Sequence, residues 1–213
     1  MGTSKFAVPI LEGLLESSVN IQAVFSAPPK LANRGMKQTL SPVAKCAEEY
    51  QLPLEYPANL KDPEIINKIN ELNPDIIFVI AYGYILPKAI IDIPKLGCFN
   101  LHGSLLPKYR GASPIQACLL NGDQETGISI MQMSSGLDEG PIYSKHSFEI
   151  PALCNKNDLE QHLTNLCNRK LFKTLSNILN FKKNALEQDH DSASYCSKIS
   201  KASGEIIFLE ERA

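Results

Sequence analysis

Asn100 and His102 stand two residues apart in the run Cys98-Phe99-Asn100-Leu101-His102, which reads as a short strand. Side chains two apart on a strand share a face. A carboxamide and an imidazole therefore point the same way, and Phe99 and Leu101 point to the other side. Amide N–H groups suit an oxygen that gains negative charge during a reaction. An imidazole suits proton transfer near neutral pH. The loop that follows, Gly103 to Pro114, is polar and rich in glycine and proline. Gly103 lets the backbone turn or approach a ligand closely, while Pro107 and Pro114 stiffen the loop and remove donors. Sites of open α/β sheets lie at the carboxyl ends of strands, so this pair is in a suitable place. The local pattern equally fits a turn-capping Asn100 and an ordinary loop histidine. Asp138, in Gly136-Leu137-Asp138-Glu139-Gly140, reads locally as a turn residue.

The surrounding elements alternate. A helix is expected after Gly2-Thr3-Ser4, with Thr3 or Ser4 as its cap and Pro9 in its first turn. Short strands are expected over 19–25 and 54–56, and a polar, basic loop over 28–39. Ser41-Pro42 opens a helix to about Tyr50, and 63–72 is a helix with Ile65, Ile66, Ile69 and Leu72 on one face. The continuous apolar run 75–81 suits a strand buried on both faces, as in parallel sheets. A short helix over 86–91, a helix over 113–121 and strands over 127–133 and 141–150 follow, the last strand antiparallel. A long helix occupies 157–181. From Asn184 the tail is polar apart from Ile206-Ile207-Phe208, and 189–197 carries no functional signal. Such alternation predicts a doubly wound α/β sheet. No Gly-x-Gly-x-x-Gly follows a strand, so a dinucleotide is not indicated.

The 213 residues allow one sizeable domain, with or without a small appendage. A net charge of −2 exerts no global pull on nucleic acid, so an RNA would be met by a local basic patch. The six cysteines form no C-x-x-C pair, which argues against zinc and dithiol chemistry. Buried thiols, no apolar leader and no run long enough to cross a membrane point to the cytoplasm.

Three segments carry a resemblance: His102-Gly-Ser-Leu-Leu-Pro-Lys-Tyr-Arg-Gly-Ala-Ser-Pro-Ile115, then Gly127-Ile-Ser-Ile-Met-Gln-Met133, then Leu137-Asp-Glu-Gly140. Together they resemble the formyltetrahydrofolate-dependent formyltransferases, from Gly2 to about Phe208. Within that family the similarity is greatest to the branch acting on initiator methionyl-tRNA. The resemblance implies a Rossmann-like doubly wound, mostly parallel sheet with helices on both faces. It implies 10-formyltetrahydrofolate as co-substrate, chemistry that needs no metal, and a monomer. Asn100 would donate to the formyl oxygen, His102 would add a second contact there as a donor, and Asp138 would orient His102 or a water and assist proton transfer. Ser104, Leu105, Leu106 and Pro107, with Tyr84, Ile85 and Leu86, would hold the folate. Arg34 and Lys37, in a loop similar to the tRNA-contacting insertion, would meet phosphates.

The same resemblance implies a strand just before Gly2 and a small barrel domain after a linker. Residues 1–183 are accordingly read as an N-terminally short catalytic domain, and 184–213 as a linker or tail. Two rival readings stay open, a formyltransferase for a small amine (a sugar amine or purine precursor) and a non-catalytic remnant.

Overall fold

The computed structural model describes residues 1–32, 37–180, 185–200 and 203. A 3-10 turn at Lys5–Ala7 runs directly into α1, Val8–Leu15. Ser4 stands at the cap position, yet its hydroxyl makes no capping bond. The start of α1 rests instead on Pro9, whose fixed φ suits a first turn, and on burial of Ile10, Leu11 and Leu14. Of the strand expected over 19–25 only β1, Val24–Phe25, pairs. β2, Lys30–Ala32, and β3, Lys37–Thr39, form an antiparallel hairpin with Lys30 opposite Thr39. This corrects the expected loop: two three-residue strands are too short for their alternation to stand out from a polar sequence.

Ser41 caps α2, Pro42–Glu49, its Oγ accepting from Ala44 N at 3.0 Å. β4, Leu54–Glu55, then leads to α3, Pro63–Glu71, capped by Asp62. β5 is Ile77–Ile80, α4 is Lys88–Ile91 and β6 is Cys98–His102. β7, Arg110–Gly111, precedes α5, Pro114–Leu120, and β8, Glu125–Gln132. After β9, Ile142–Glu149, a reciprocal Asn155–Asp158 capping box opens α6, Lys156–Leu179. β10, Tyr195–Cys196, lies in the region read as tail and pairs in parallel with β7.

β5 and β6 run parallel, β8 runs against β6, and β9 reverses again in the order β5-β6-β8-β9. β1 and β4 form a further parallel pair. Gly2 links the two sets. Its N–H donates to Phe25 O at 3.0 Å, and it bridges Ile80 in parallel. One sheet face carries Phe99, Leu101, Ile128 and Ile130 into a core shared with α1, α5 and α6. The other carries Ile77, Val79 and Cys98 into a second core with α3 and α4. Helices thus cover both faces, and β6 delivers Asn100 and His102 on the second face, as its alternation implies.

The amino group of Met1 sits inside this sheet, donating to Phe78 O at 2.7 Å. Beside it lies an apolar cavity of about 380 Å³ walled by Leu11, Phe25, Ile77 and Leu175, among others. Burial pushes the amine down from 8.0 to about 6, against a smaller opposing effect of Cys98.

Candidate active site

β6 and β7 and the loop after β8 bring three predicted side chains together. Asn100 Nδ2 donates to Asp138 Oδ1 at 3.2 Å. Asp138 Oδ2 accepts from the Gly111 backbone N–H at 2.9 Å and lies 3.6 Å from His102 Nδ1. The imidazole is 5 % exposed and the carboxylate 14 %, so the group is shielded but open on one side. His102 Nε2 meets Tyr109 O at 2.8 Å. A carbonyl only accepts, so Nε2 carries the hydrogen and Nδ1 is the nitrogen turned to Asp138. With Nδ1 also protonated the pair is imidazolium and carboxylate, while a neutral ring sets lone pair against lone pair.

Asp138 holds φ +50°, a left-handed conformation that Asp and Asn tolerate better than most residues. Asn100 spends one amide hydrogen on Asp138 and keeps a second. The phenol of Tyr109, beside the site in sequence, is raised by burial, with its Asn121 contact lowering and its Asp123 contact raising it.

The expected folate residues divide by exposure. Tyr84 and Ile85 follow β5 at the sheet's carboxyl end and are exposed, Ile85 at 91 %. A side chain added at Gly83 would meet open space. Leu86 is instead buried in the second core. In the loop after β6, Leu106 is fully buried, and its N–H donates to Ser129 Oγ at 3.0 Å. Ser104 spends its hydroxyl on Lys108 O at 2.5 Å and its carbonyl on Ser129 Oγ at 2.7 Å. Leu105 and Pro107 are half-buried. The side chains of Leu86, Ser104 and Leu106 thus hold the framework, leaving Tyr84 and Ile85 as the apolar surface. Lys37 belongs to β3, and Arg34 lies outside the described residues.

A family model described as formyl transferase matches residues 1–175. The chain belongs to the formyl transferase family. Similar relatives of this formyl transferase include methionyl-tRNA formyltransferases from Alkaliphilus oremlandii, 43 % identical, and Rickettsia rickettsii, 42 % identical. The matches take in 97 % and 99 % of the chain, and 66 % and 68 % of those relatives. The chain thus spans about two thirds of the length of the curated relatives it matches. Among solved structures, the N-formyltransferase of Helicobacter canadensis, in complex with folinic acid and dTDP-3-aminofucose, is 22 % identical with a TM-score of 0.69. That match covers 95 % of this chain and 70 % of the other. The phosphoribosylglycinamide formyltransferase of Anaplasma phagocytophilum gives 0.70 at 18 % identity, over 92 % and 96 %. At such identities the structures support the Rossmann-like fold of this formyl transferase.

Three groups at its site have no signal in sequence. The Tyr109 carbonyl and the Gly111 N–H are backbone atoms that any residue type supplies. Gln188, from the tail, donates to the Asp138 carbonyl at 2.9 Å. Among the described residues no helix is long and apolar enough to cross a membrane.

Proposed function

We propose that this formyl transferase moves a formyl group from 10-formyltetrahydrofolate to the amino group of initiator methionyl-tRNA, in the cytoplasm and as a monomer. The convergence of Asn100, His102 and Asp138 carries the reading. Identity of about 42 % to methionyl-tRNA formyltransferases over nearly the whole chain supports the choice of acceptor.

The acceptor nitrogen attacks the formyl carbon, the bond from that carbon to the carrier nitrogen breaks, and one proton passes from the new amide to the carrier. Asn100 gives its second amide hydrogen to the formyl oxygen as that oxygen gains charge. His102, anchored through Nε2, donates there through Nδ1 when the ring is protonated. Asp138 fixes that ring and assists loss of the proton. Tyr84 and Ile85 offer an apolar ledge for the pterin at the sheet's carboxyl end, with Ser104, Leu105, Leu106 and Pro107 bracing the loop beside it. The co-substrate supplies the activated formyl carbon. On the β2–β3 hairpin, Lys37 is proposed to meet tRNA phosphates together with Arg34.

Supplying charged initiator tRNA or small amines together with 10-formyltetrahydrofolate tests the reading. Formylation of the methionyl amine is expected, and Asn100→Ala should lower its rate by about 10²–10³-fold. Turnover of sugar amines or purine precursors alone would transfer the assignment to a small-molecule enzyme.

A further inference from the structure

Gln188 belongs to a stretch of charged residues, Glu187 to Asp191, yet its side chain is 5 % exposed. Its Oε1 accepts from Arg110 Nε at 3.1 Å and Nη2 at 2.8 Å. Its Nε2 donates to Asp138 O at 2.9 Å and Gly140 O at 2.7 Å, and lies 3.9 Å from Met131 Sδ. A carboxamide has two donor hydrogens and two acceptor lone pairs, and here all four are used.

The two ends of this amide reach the two segments that hold the catalytic carboxylate. One grips the backbone of Asp138 itself and of Gly140, framing a residue with positive φ. The other grips Arg110, whose neighbour Gly111 donates to Asp138 Oδ2. The Arg110 guanidinium is 1 % exposed and has no carboxylate partner among the described residues. Its other acceptors are His190 Nδ1 and Tyr195 Oη, each at 3.3 Å. All of them come from the same tail.

We propose that Gln188 is a positioning residue for Asp138: it pins the 138–140 backbone so that the carboxylate stays between Asn100 and His102. This rests on the reading of Asp138 as a catalytic group. Removing the two N–H groups while keeping an acceptor for Arg110 separates positioning from simple docking of the tail. Gln188→Glu does this, because a carboxylate still receives the guanidinium but cannot donate to the Asp138 and Gly140 carbonyls.

The deciding readout is the long-range ¹H–¹⁵N spectrum of the His102 ring, assigned by comparison with His102→Gln and calibrated with Asp138→Asn. In Gln188→Glu the ring signals are expected to move from the wild-type position toward that of Asp138→Asn. In parallel, kcat should fall by about 10- to 10²-fold with a smaller change in KM. Ring signals that stay at the wild-type position in a folded Gln188→Glu protein would overturn the proposal. If Gln188→Glu does not fold, Gln188→Met, which loses both the N–H groups and the acceptor, is compared with Arg110→Met, which loses the docking contact alone, and ring signals that move no further in Gln188→Met than in Arg110→Met would overturn the proposal. A wild-type chain that transfers no formyl group counts against the proposed function, and the ring signals still decide the role of Gln188.

Discussion

Asp138→Asn is expected to lower kcat for formyl transfer by about 10²–10⁴-fold, the range lost when a positioned proton-transfer group is removed. The carboxylate takes three contacts at once: the Asn100 amide, the Gly111 N–H and the His102 imidazole. Only an acceptor on both oxygens satisfies the first two together. Asparagine brings an NH₂ group that must confront either the Asn100 amide or the Gly111 N–H, donor against donor. Whichever way the amide turns, the negative partner of His102 is gone. The backbone, by contrast, has little reason to object, because asparagine accepts a left-handed φ as readily as aspartate. The stability cost should therefore stay at about 1–3 kcal/mol, that of one mismatched buried pair. Steady-state kinetics beside urea denaturation separate the two effects. A variant that loses activity only in proportion to the population unfolded would show Asp138 to be structural.

How much of this arrangement the sequence discloses depends on how far apart its parts lie. Asn100 and His102 are two residues apart on one strand, and alternation alone puts them on one face. The packing of Phe99 and Leu101 into the opposite core agrees. Asp138 is 38 positions from Asn100, inside a Gly-flanked turn, and only the family resemblance singles it out. Gln188 lies 50 positions further on in a segment whose composition matches a solvated tail. Nothing local distinguishes a buried glutamine from an exposed one, and its partner Arg110 sits near Lys108 in a loop that reads as polar and rich in glycine and proline. The apolar residues proposed for folate show the converse limit. Leu86, Leu106, Tyr84 and Ile85 are all apolar or amphipathic, and the sequence does not separate those that fill a core from those that face a ligand. Leu106 proves fully buried and Ile85 almost fully exposed. Periodicity assigns a face within an element, while loops such as 103–109 have no period to read.

Gly111→Ala is expected to unseat the tail and weaken the site in one step. Gly111 has φ +119°, outside the small left-handed region that other residues visit. A methyl group built on its Cα would run into the carbonyl oxygen of Cys196. That oxygen is backbone, so it cannot swing aside as a side chain would, and it already accepts from Ala112 N at 3.1 Å. Relief requires β10 to move off β7, taking with it the bond from Arg110 N to Ser194 O. The unfavourable φ costs about 1–3 kcal/mol, and each β10 hydrogen bond that gives way adds about 1 kcal/mol. As β10 leaves, Tyr195 and His190 withdraw from the buried Arg110, and the Gly111 N–H loses its fixed aim at Asp138. Limited proteolysis is the direct measurement, with cleavage expected within 185–200 at protease levels that spare the wild-type chain. Unchanged protection there, together with an unchanged urea midpoint, would mean that the strand pair tolerates a side chain and that the close approach at Gly111 does not constrain the fold.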